Sequence, residues 1–222
     1  MADAKRNPAQ VNGMIGWGVD ALIRNASRRA FHTIWWQPPR YDIPQPWIVV
    51  PNHHGWHDGY VMYLALTALQ VPFFDWIAEY HVFPLFGKVG GLPFPAASAH
   101  IRAATLRKTV RAMQQQRRSL LLFAEGTLHR PPELLPFGKS LAFVQRQVPE
   151  ASLVPVAIRY QHAIHERPEA FIQFLDPVST PTETHNSIAT ALSQPITSED
   201  YRVLVRGRRD ANETWQFGKR PV

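Results

Sequence analysis

Short apolar runs alternate with longer mixed segments along most of the chain. The apolar runs predict buried strands at 47–50, 73–78, 91–94, 119–124, 153–160 and 171–176. The longer segments predict helices at 11–36, 59–69, 98–117 and 138–147. Strands that alternate with helices are typical of a mostly parallel sheet. The pattern therefore predicts an α/β fold, with a mostly parallel central sheet flanked by helices.

The first predicted helix, over 11–36, is an N-terminal amphipathic segment. One face carries the apolar residues Ile15, Val19, Leu22 and Ala26, and arginines lie away from that face. Cations with nearby tryptophans suit a helix in a membrane interface, while a helix packed on the domain fits equally well. A proline-rich connector follows at 37–46. We therefore expect an N-terminal unit over 1–46 and a main domain over 47–222.

Composition narrows the class of protein. The chain has 222 residues, of which 45 % are hydrophobic and 18 % charged, as expected for a globular domain with its own core. It contains no cysteine, which excludes disulfides, thiolate nucleophiles and cysteine-ligated metal sites. No apolar run reaches the length of about 18 residues that a membrane span needs. The N-terminus also lacks the pattern of a signal peptide.

The charge of the chain points to an anionic partner. The formal net charge is +7, with +5 in residues 1–111 and +2 in residues 112–222. An acidic membrane surface or an acidic protein fits this bias, whereas no RNA-binding aromatic motif or helix-turn-helix pattern favours nucleic acid. Arginines 206, 208 and 209 in the basic tail 201–222 could meet acidic lipid or a carrier protein, although a solvated face is the simpler interpretation.

The most unusual polar segment is PNHHGWHDGY, at 51–60. It joins a predicted strand to a predicted helix, which is where open α/β sheets usually carry their sites. A metal site is one interpretation, but His53, His54 and His57 do not match the common metal motifs. A polar turn in which Asp58 caps the helix is a second interpretation. The third is a general base, His53, oriented by Asp58.

A second polar segment favours the base–acid pair. FAEGT (123–127) also follows a predicted strand. Together with NHHGWHD (52–58), FPLFGKVGGLPF (83–94) and LVPVAI (153–158), it forms four ordered blocks. These blocks resemble those of the glycerol-3-phosphate/lysophospholipid (1-acylglycerol-3-phosphate) acyltransferase family, and the resemblance covers roughly residues 47–160. By this resemblance, 47–222 is an acyltransferase domain.

The resemblance implies a reaction and a set of site residues. A fatty acyl group passes from acyl-CoA or acyl-carrier-protein to the hydroxyl of a lysophospholipid or other lipid-like alcohol, without a cofactor. His53 is then the general base and Asp58 orients it. Glu125 and Thr127 position the acceptor, and Gly126 with neighbouring N–H groups stabilises the oxyanion. Segments 59–74 and 83–94 are candidates for an apolar groove that holds the acyl chain.

The sequence departs from the family at the positions that hold phosphate. Members with phosphate-bearing acceptors usually carry an arginine that closes the second block and another directly after E-G-T. Here the second block contains no arginine, and the first arginine after it is Arg102. Leu128, not an arginine, follows Thr127. Arg130 and Lys139 are the nearest cations and are predicted to bind substrate. The sequence therefore fits an acceptor without phosphate as well as it fits one that carries phosphate.

Other interpretations stay open at this stage. His54 and His57 are expected to be solvated loop residues, with contact to a donor phosphate as the alternative. A metal-dependent hydrolase and a non-enzymatic basic membrane-binding module are the rival functions. The preferred interpretation places the protein in the cytoplasm, peripherally on the cytoplasmic face of a membrane. Its expected partners are the acyl donor and a lipid acceptor, with no metal and no nucleic acid.

Overall fold

Strands and helices alternate in the computed structural model, which describes residues 5–197 and 200–214. The strands are β1 (Thr33–Gln37), β2 (Trp47–Pro51), β3 (Phe73–Ile77), β4 (Gly91–Pro93), β5 (Ser119–Leu121), β6 (Ser152–Gln161), β7 (Glu169–Phe174) and β8 (Arg202–Arg206). The helices are α1 (Gly13–Ala30), α2 (Asp58–Ala68), α3 (Ala99–Gln116), α4 (Lys139–Gln147), α5 (Pro181–Ser193) and α6 (Ala211–Thr214). Two 3-10 helices occur at Pro8–Gln10 and Pro84–Val89.

All eight strands form one sheet in the order β4-β3-β5-β2-β6-β7-β1-β8. Neighbours run parallel from β4 to β6, and β7 is parallel to β1. The pairs β6–β7 and β1–β8 are antiparallel. The predicted α/β fold with a mostly parallel sheet is therefore confirmed, and the prediction missed β1, β8 and α5.

Helices cover both faces of this sheet. On one face α1 and α2 pack against alternate strand residues such as Val49 and Val154. On the other face α3, α4 and α5 pack against the residues between them, such as Ile48 and Leu153. Because successive strand residues point to opposite faces, a strand covered on both sides is apolar throughout. This explains why β2 reads as an uninterrupted apolar run.

The N-terminal segment differs from its prediction. The helix α1 ends at Ala30, and Trp35 and Trp36, which were predicted to close it, lie in β1. Residues 33–36 are β-branched or aromatic, which favours strand, and β1 gains partners in β7 and β8. Neighbours distant in sequence therefore decide the end of the helix.

The buried face of α1 was also predicted only in part. Val19 is buried as expected, but Ile15 is 56 % exposed and Leu22 is 45 % exposed. A polar contact also ties the helix to α2: buried Asp20 accepts hydrogen bonds from the Arg24 guanidinium of the same helix and from the Tyr63 hydroxyl of α2. A charged pair such as Asp20 and Arg24 can lie on the buried face of a helix, and a hydrophobicity pattern does not predict this.

The limits of the predicted units stay predictions. Although β1 lies within 1–46, it belongs to the same sheet as the strands of 47–222. Of the basic tail, residues 202–206 form the edge strand β8, and residues 215–222 lie outside the described part of the chain. No helix among the described residues has the length and apolar character needed to cross a membrane.

Candidate active site

Three adjacent parallel strands bring the predicted site residues together. β5, β2 and β6 are neighbours, so their carboxyl ends lie at one edge of the sheet. His53 follows β2, Glu125 follows β5, and Tyr160 lies near the end of β6. The structure thus brings the first and third sequence blocks into contact, as expected for open α/β sheets.

His53 and Asp58 form the predicted pair. The His53 Nδ1 atom lies 3.0 Å from Asp58 Oδ2. The Asp58 side chain is fully buried, whereas 24 % of the His53 side chain is exposed. When Nδ1 carries the proton, it donates a hydrogen bond to the Asp58 carboxylate, and Nε2 is left as the proton acceptor. No described residue bonds to Nε2, so this nitrogen is available to a substrate hydroxyl.

Two further donors hold the Asp58 carboxylate. The Gly55 N–H donates to Oδ2 at 2.8 Å, and the Tyr160 hydroxyl donates to Oδ1 at 2.5 Å. Burial and the nearby carboxylate raise the pKa of Tyr160, which keeps this hydroxyl protonated as a donor. These two donors fix the orientation of the carboxylate. Asp58 is the first residue of α2, yet its side chain reaches back into the loop instead of capping the helix.

The loop that links the pair depends on a small residue. A Cβ atom on Gly55 would lie 2.2 Å from Cε2 of the Tyr160 ring and 3.0 Å from Asp58 Oδ1. Any larger side chain would therefore push Tyr160 away from the carboxylate. Trp56, the next residue, is 81 % exposed, so the loop also presents a large apolar ring to the outside.

Glu125 lies under the loop of His53 rather than in an open pocket. Its Oε1 accepts the His53 N–H at 2.7 Å, and its Oε2 accepts the Leu135 N–H at 2.7 Å. Oε2 also bonds to the His129 ring, and the Glu125 side chain is fully buried. Glu125 therefore fixes the backbone of His53 and of 129–135. The predicted contact with the acceptor would need this network to open.

The E-G-T turn next to Glu125 is exposed. Gly126 adopts a φ of +72°, a left-handed conformation that favours glycine. Its N–H donates to the Phe123 carbonyl at 3.0 Å, so it is engaged in the turn rather than free for an oxyanion. The N–H groups of Thr127 and Leu128 have no acceptor among the described residues.

The two predicted cations, Arg130 and Lys139, are both exposed. Lys139 is the first residue of α4, directly after the loop that Glu125 supports. Neither side chain has an ion-pair partner within 5–197 and 200–214. Both charges are therefore free to meet an anionic ligand.

His54 and His57 are not the solvated loop residues that were expected. His54 Nε2 bonds to the Glu133 carbonyl oxygen at 2.9 Å, and Nδ1 lies 3.1 Å from Asn52 Nδ2. The His57 ring is half-buried against Phe31, with ring centroids 5.3 Å apart. Burial lowers the pKa of His57, which keeps its ring neutral. Both histidines therefore help to shape the loop.

Sequence reasoning missed two residues of this site. Tyr160 holds Asp58, and only its position at the end of a predicted strand could have indicated it. Asn52 exchanges two hydrogen bonds with the backbone of Ile158, at 2.7 and 3.0 Å, and so ties the end of β2 to β6. Its place in the first block was the available signal.

The predicted acyl-chain groove is supported only in part. Most of α2 belongs to the core, since the residues from Val61 to Leu66 are buried. Tyr60 remains half-buried and lies 6.1 Å from the Phe86 ring, which in turn packs on Phe83. These aromatic rings come from both predicted segments, and they are its best candidates for groove contacts.

The three loop histidines do not form the suspected metal site. Among the described residues, the ligand atoms that converge near the loop belong to His54, Glu125 and His129. His53 is paired with Asp58 instead, and His57 packs on aromatic rings. The geometry therefore favours the base–acid interpretation of His53 over metal ligation.

Comparison with known proteins identifies the family. The sequence profile of the acyltransferase family matches residues 38–159, more than half of the chain. The fold is similar to the crystal structure of the 1-acyl-sn-glycerophosphate (LPA) acyltransferase PlsC from Thermotoga maritima, with a TM-score of 0.60 and 15 % identity over 82 % of this chain and 81 % of that one. No curated protein sequence matches the chain significantly. The chain belongs to the acyltransferase family.

Proposed function

We propose that the protein transfers a fatty acyl group from acyl-CoA or acyl-carrier-protein to the hydroxyl of a lysophospholipid or another lipid-like alcohol, without a cofactor. The observation that carries this proposal is the pair of His53 and buried Asp58. No described residue bonds to the Nε2 atom of His53. The likeness to a lysophosphatidate acyltransferase fold supports a lipid acceptor.

The proposed chemistry needs only groups of this chain and its two substrates. His53 Nε2 removes the proton of the acceptor hydroxyl as the oxygen attacks the thioester carbonyl. Asp58 stabilises the imidazolium that forms. The tetrahedral intermediate collapses to the new ester, and the thiolate leaves and takes up the proton from His53. Because the acceptor oxygen attacks directly, no acyl-enzyme forms.

The intermediate needs donors for its oxyanion. Since the Gly126 N–H is engaged with the Phe123 carbonyl, we assign this role to the N–H groups of Thr127 and Leu128. They lie in the turn directly after Glu125, which fixes the His53 backbone. A substrate carbonyl that approaches this turn would therefore come near the base.

A membrane surface is the proposed place of action, on the cytoplasmic face. The outer face of α1 carries an apolar ridge, which we define as Met14, Ile15, Trp17 and Leu22, all exposed. Apolar residues exposed along one helix face suit the interface of a bilayer. The exposed Trp56 of the catalytic loop would contribute to the same kind of contact.

The acceptor headgroup is left open between two classes. Arg130 and Lys139 are exposed and have no ion-pair partner in the described part of the chain, and so could hold a phosphate in place of the family arginines. A phosphate-free alcohol would not need them. Substituting both by glutamine should raise the KM for a phosphate-bearing acceptor and leave a phosphate-free acceptor unaffected.

The proposal is tested by thiol release from the donor. Because the chain contains no cysteine, a thiol reagent reports only the donor. Long-chain acyl-CoA and acyl-carrier-protein are each supplied alone, with lysophosphatidate, and with phosphate-free lipid alcohols. We expect acceptor-dependent release in the wild type and its loss in His53→Ala. His81→Ala, an exposed histidine outside the site, serves as the control.

Equal release by the wild type and His53→Ala would contradict the assignment of His53. Absence of release with every donor and acceptor would contradict transfer from a thioester. The preferred acceptor then decides whether the missing arginines mean a substrate without phosphate.

A further inference from the structure

A second cluster of ligating side chains lies at the same edge of the sheet as His53 and Asp58. His32 precedes β1, His165 lies in the loop between β6 and β7, and Asp210 and Glu213 follow β8. Their ligand atoms all lie within 4.8 Å of one another. Since the four residues come from three distant parts of the chain, no sequence motif indicates the cluster.

Each histidine of the cluster faces a carboxylate. His32 Nε2 lies 3.2 Å from Glu213 Oε2, and His165 Nδ1 lies 2.8 Å from Asp210 Oδ2. The Asp210 N–H donates to Glu213 Oε2 at 3.0 Å. The two rings stack, with centroids 3.4 Å apart and planes at 9°. Two imidazoles and two carboxylates thus lie close together, with the imidazole rings stacked on each other.

The surrounding residues orient these ligands. His32 Nδ1 lies 3.1 Å from the Thr33 hydroxyl, so its Nε2 faces the cluster. Asp210 Oδ1 accepts the Glu166 N–H at 3.2 Å, which leaves Oδ2 toward His165. Metal-binding histidines and carboxylates are usually held by such outer hydrogen bonds. His32 and Asp210 are also buried, which removes competing water.

We propose that His32, His165, Asp210 and Glu213 bind one divalent first-row metal ion, with zinc as the best match. Two imidazole nitrogens and two carboxylate oxygens suit a tetrahedral zinc site. The two carboxylates balance the charge of the ion. In a chain without cysteine, histidine and carboxylates are the ligands that such a site requires.

Binding requires one ring to leave the stack. A metal ion lies in the plane of an imidazole ring that binds it, so two parallel stacked rings cannot share one ion. His32 is buried, whereas His165 is partly exposed in a loop. We therefore expect His165 to rotate toward Asp210 and Glu213 while His32 stays in place.

The ion would act on stability rather than on the reaction. It would join the segment after β8 and the β6–β7 loop to the start of β1. Phe31, next to His32, stacks on Tyr160 at 5.5 Å between ring centroids, so the ion would also steady the catalytic edge. Acyl transfer itself would continue without it at temperatures well below unfolding.

The test uses the full chain, stripped with a chelator, dialysed and titrated with zinc alone. Calorimetry gives the stoichiometry and Kd, and thermal unfolding gives Tm. We expect one zinc per chain and a rise in Tm of several degrees, because an ion that binds only the folded state stabilises it. His165→Gln should weaken binding at least about tenfold and abolish the Tm rise. His162→Gln, an exposed histidine in the same loop, should behave as wild type.

Three results would overturn the proposal. The first is no zinc binding in the wild type, and the second is an affinity in His165→Gln equal to that of wild type. The third is loss of zinc binding in His129→Gln but not in His165→Gln, which would assign the ion to His54, Glu125 and His129. Asp210→Asn, expected to weaken binding as well, keeps the test decisive if circular dichroism shows that His165→Gln is misfolded.

Discussion

At the scale of single residues, the proposed base His53 depends on neighbouring groups for its position. His53 is fixed at its ring by Asp58 and at its backbone by Glu125. Asp58 is fixed in turn by Gly55 and Tyr160. Precise positioning of this kind lowers the entropic part of a reaction barrier. Substitutions at the supporting residues should therefore change turnover more than substrate affinity.

Tyr160→Phe removes the hydroxyl donor to Asp58 and keeps the ring that stacks on Phe31. A hydrogen bond to a charged group contributes about 1.5–3 kcal/mol, so we expect kcat to fall about ten- to hundredfold with little change in KM. Steady-state kinetics with the preferred acceptor measures this. Tyr41→Phe, an exposed tyrosine elsewhere, is the control. An unchanged kcat would show that Tyr160 does not support the base.

Glu125→Gln separates two roles for the same residue. The amide keeps one acceptor oxygen but cannot accept both the His53 and Leu135 N–H groups. If Glu125 fixes the loop, Tm and kcat should both fall while the acceptor KM changes little, because a buried donor is left unpaired. If Glu125 positions the acceptor, as the sequence predicted, the KM should rise with Tm unchanged.

The sequence indicated the principal pair of this site but not its supports. His53 and Asp58 were found because they lie within one short segment. Tyr160 contacts Asp58 from 102 positions away, and Glu125 contacts His53 from 72 positions away. Such contacts follow from the order β5-β2-β6, which hydrophobic periodicity does not reveal. The hydrogen bonds of Glu125 to the backbone of His53 and Leu135 could not be foreseen, because burial cannot be read from a motif.

At the scale of the elements, strands and helices inside the sheet were easier to predict than those at its margin. β2, β3, β4, α3 and α4 agree closely with prediction because their apolar patterns match their burial. β8 was missed because its apolar run, 203–205, is only three residues long and is flanked by Arg202 and Arg206. β1 was missed because its aromatic residues continued the apparent pattern of α1.

β3 carries an acid that should affect stability. The Asp75 Oδ1 atom is buried without a hydrogen-bond partner among the described residues, and burial raises the pKa of Asp75 to about 7. The unfolded chain ionises this group above about pH 4, while the folded protein holds it neutral until about pH 7. The free energy of unfolding should therefore fall across this window, by up to about 1.4 kcal/mol per pH unit.

Asp75→Asn removes this ionisation and should reduce the pH dependence of the free energy of unfolding. We expect the variant to gain stability over wild type as pH rises from about 4 to 7, and to keep that gain above pH 7. Urea unfolding at several pH values measures it. Asp42→Asn, at an exposed acid, should retain the slope of wild type. A variant with the same slope as wild type would show that Asp75 is ionised in the fold.

The apolar ridge of α1 gives a test of membrane binding that leaves the fold intact. Ile15→Gln with Leu22→Gln removes two exposed apolar side chains, so Tm should change little. If the ridge enters the interface, the loss of about 2 kcal/mol of burial should weaken liposome binding about thirtyfold. Flotation with anionic vesicles measures this.

Ile164→Gln provides the matched control for the ridge, because Ile164 is also exposed but lies in the β6–β7 loop. It should float as the wild type does. Equal flotation of the double variant and wild type would exclude the ridge as the membrane contact.

At the scale of the whole molecule, the N-terminal segment is part of the sheet. β1 lies between β7 and β8, and its Ile34 is fully buried. The chain over 47–222 would thus keep β8 without its pairing strand and expose a new edge on β7. The predicted division at residue 46 can be tested by producing this fragment alone.

We expect the fragment 47–222 to be aggregated or only partly folded, as judged by size-exclusion chromatography and circular dichroism. Removal of residues 1–4 alone leaves every described helix and strand in place and should give a monodisperse protein, which serves as the control. A folded, cooperatively unfolding 47–222 would instead support two independent units.

The position of β1 also determines when the sheet can be completed during synthesis of the chain. β1 pairs with β7 and with β8, and β8 begins about 165 residues after β1 ends. A ribosome that adds 5–20 residues per second needs roughly ten to thirty seconds to make that stretch. Throughout this interval β1 lacks its pairing partner β8. Until β8, the last of the described strands, emerges, the edge of β1 that it covers stays unpaired and open to other chains.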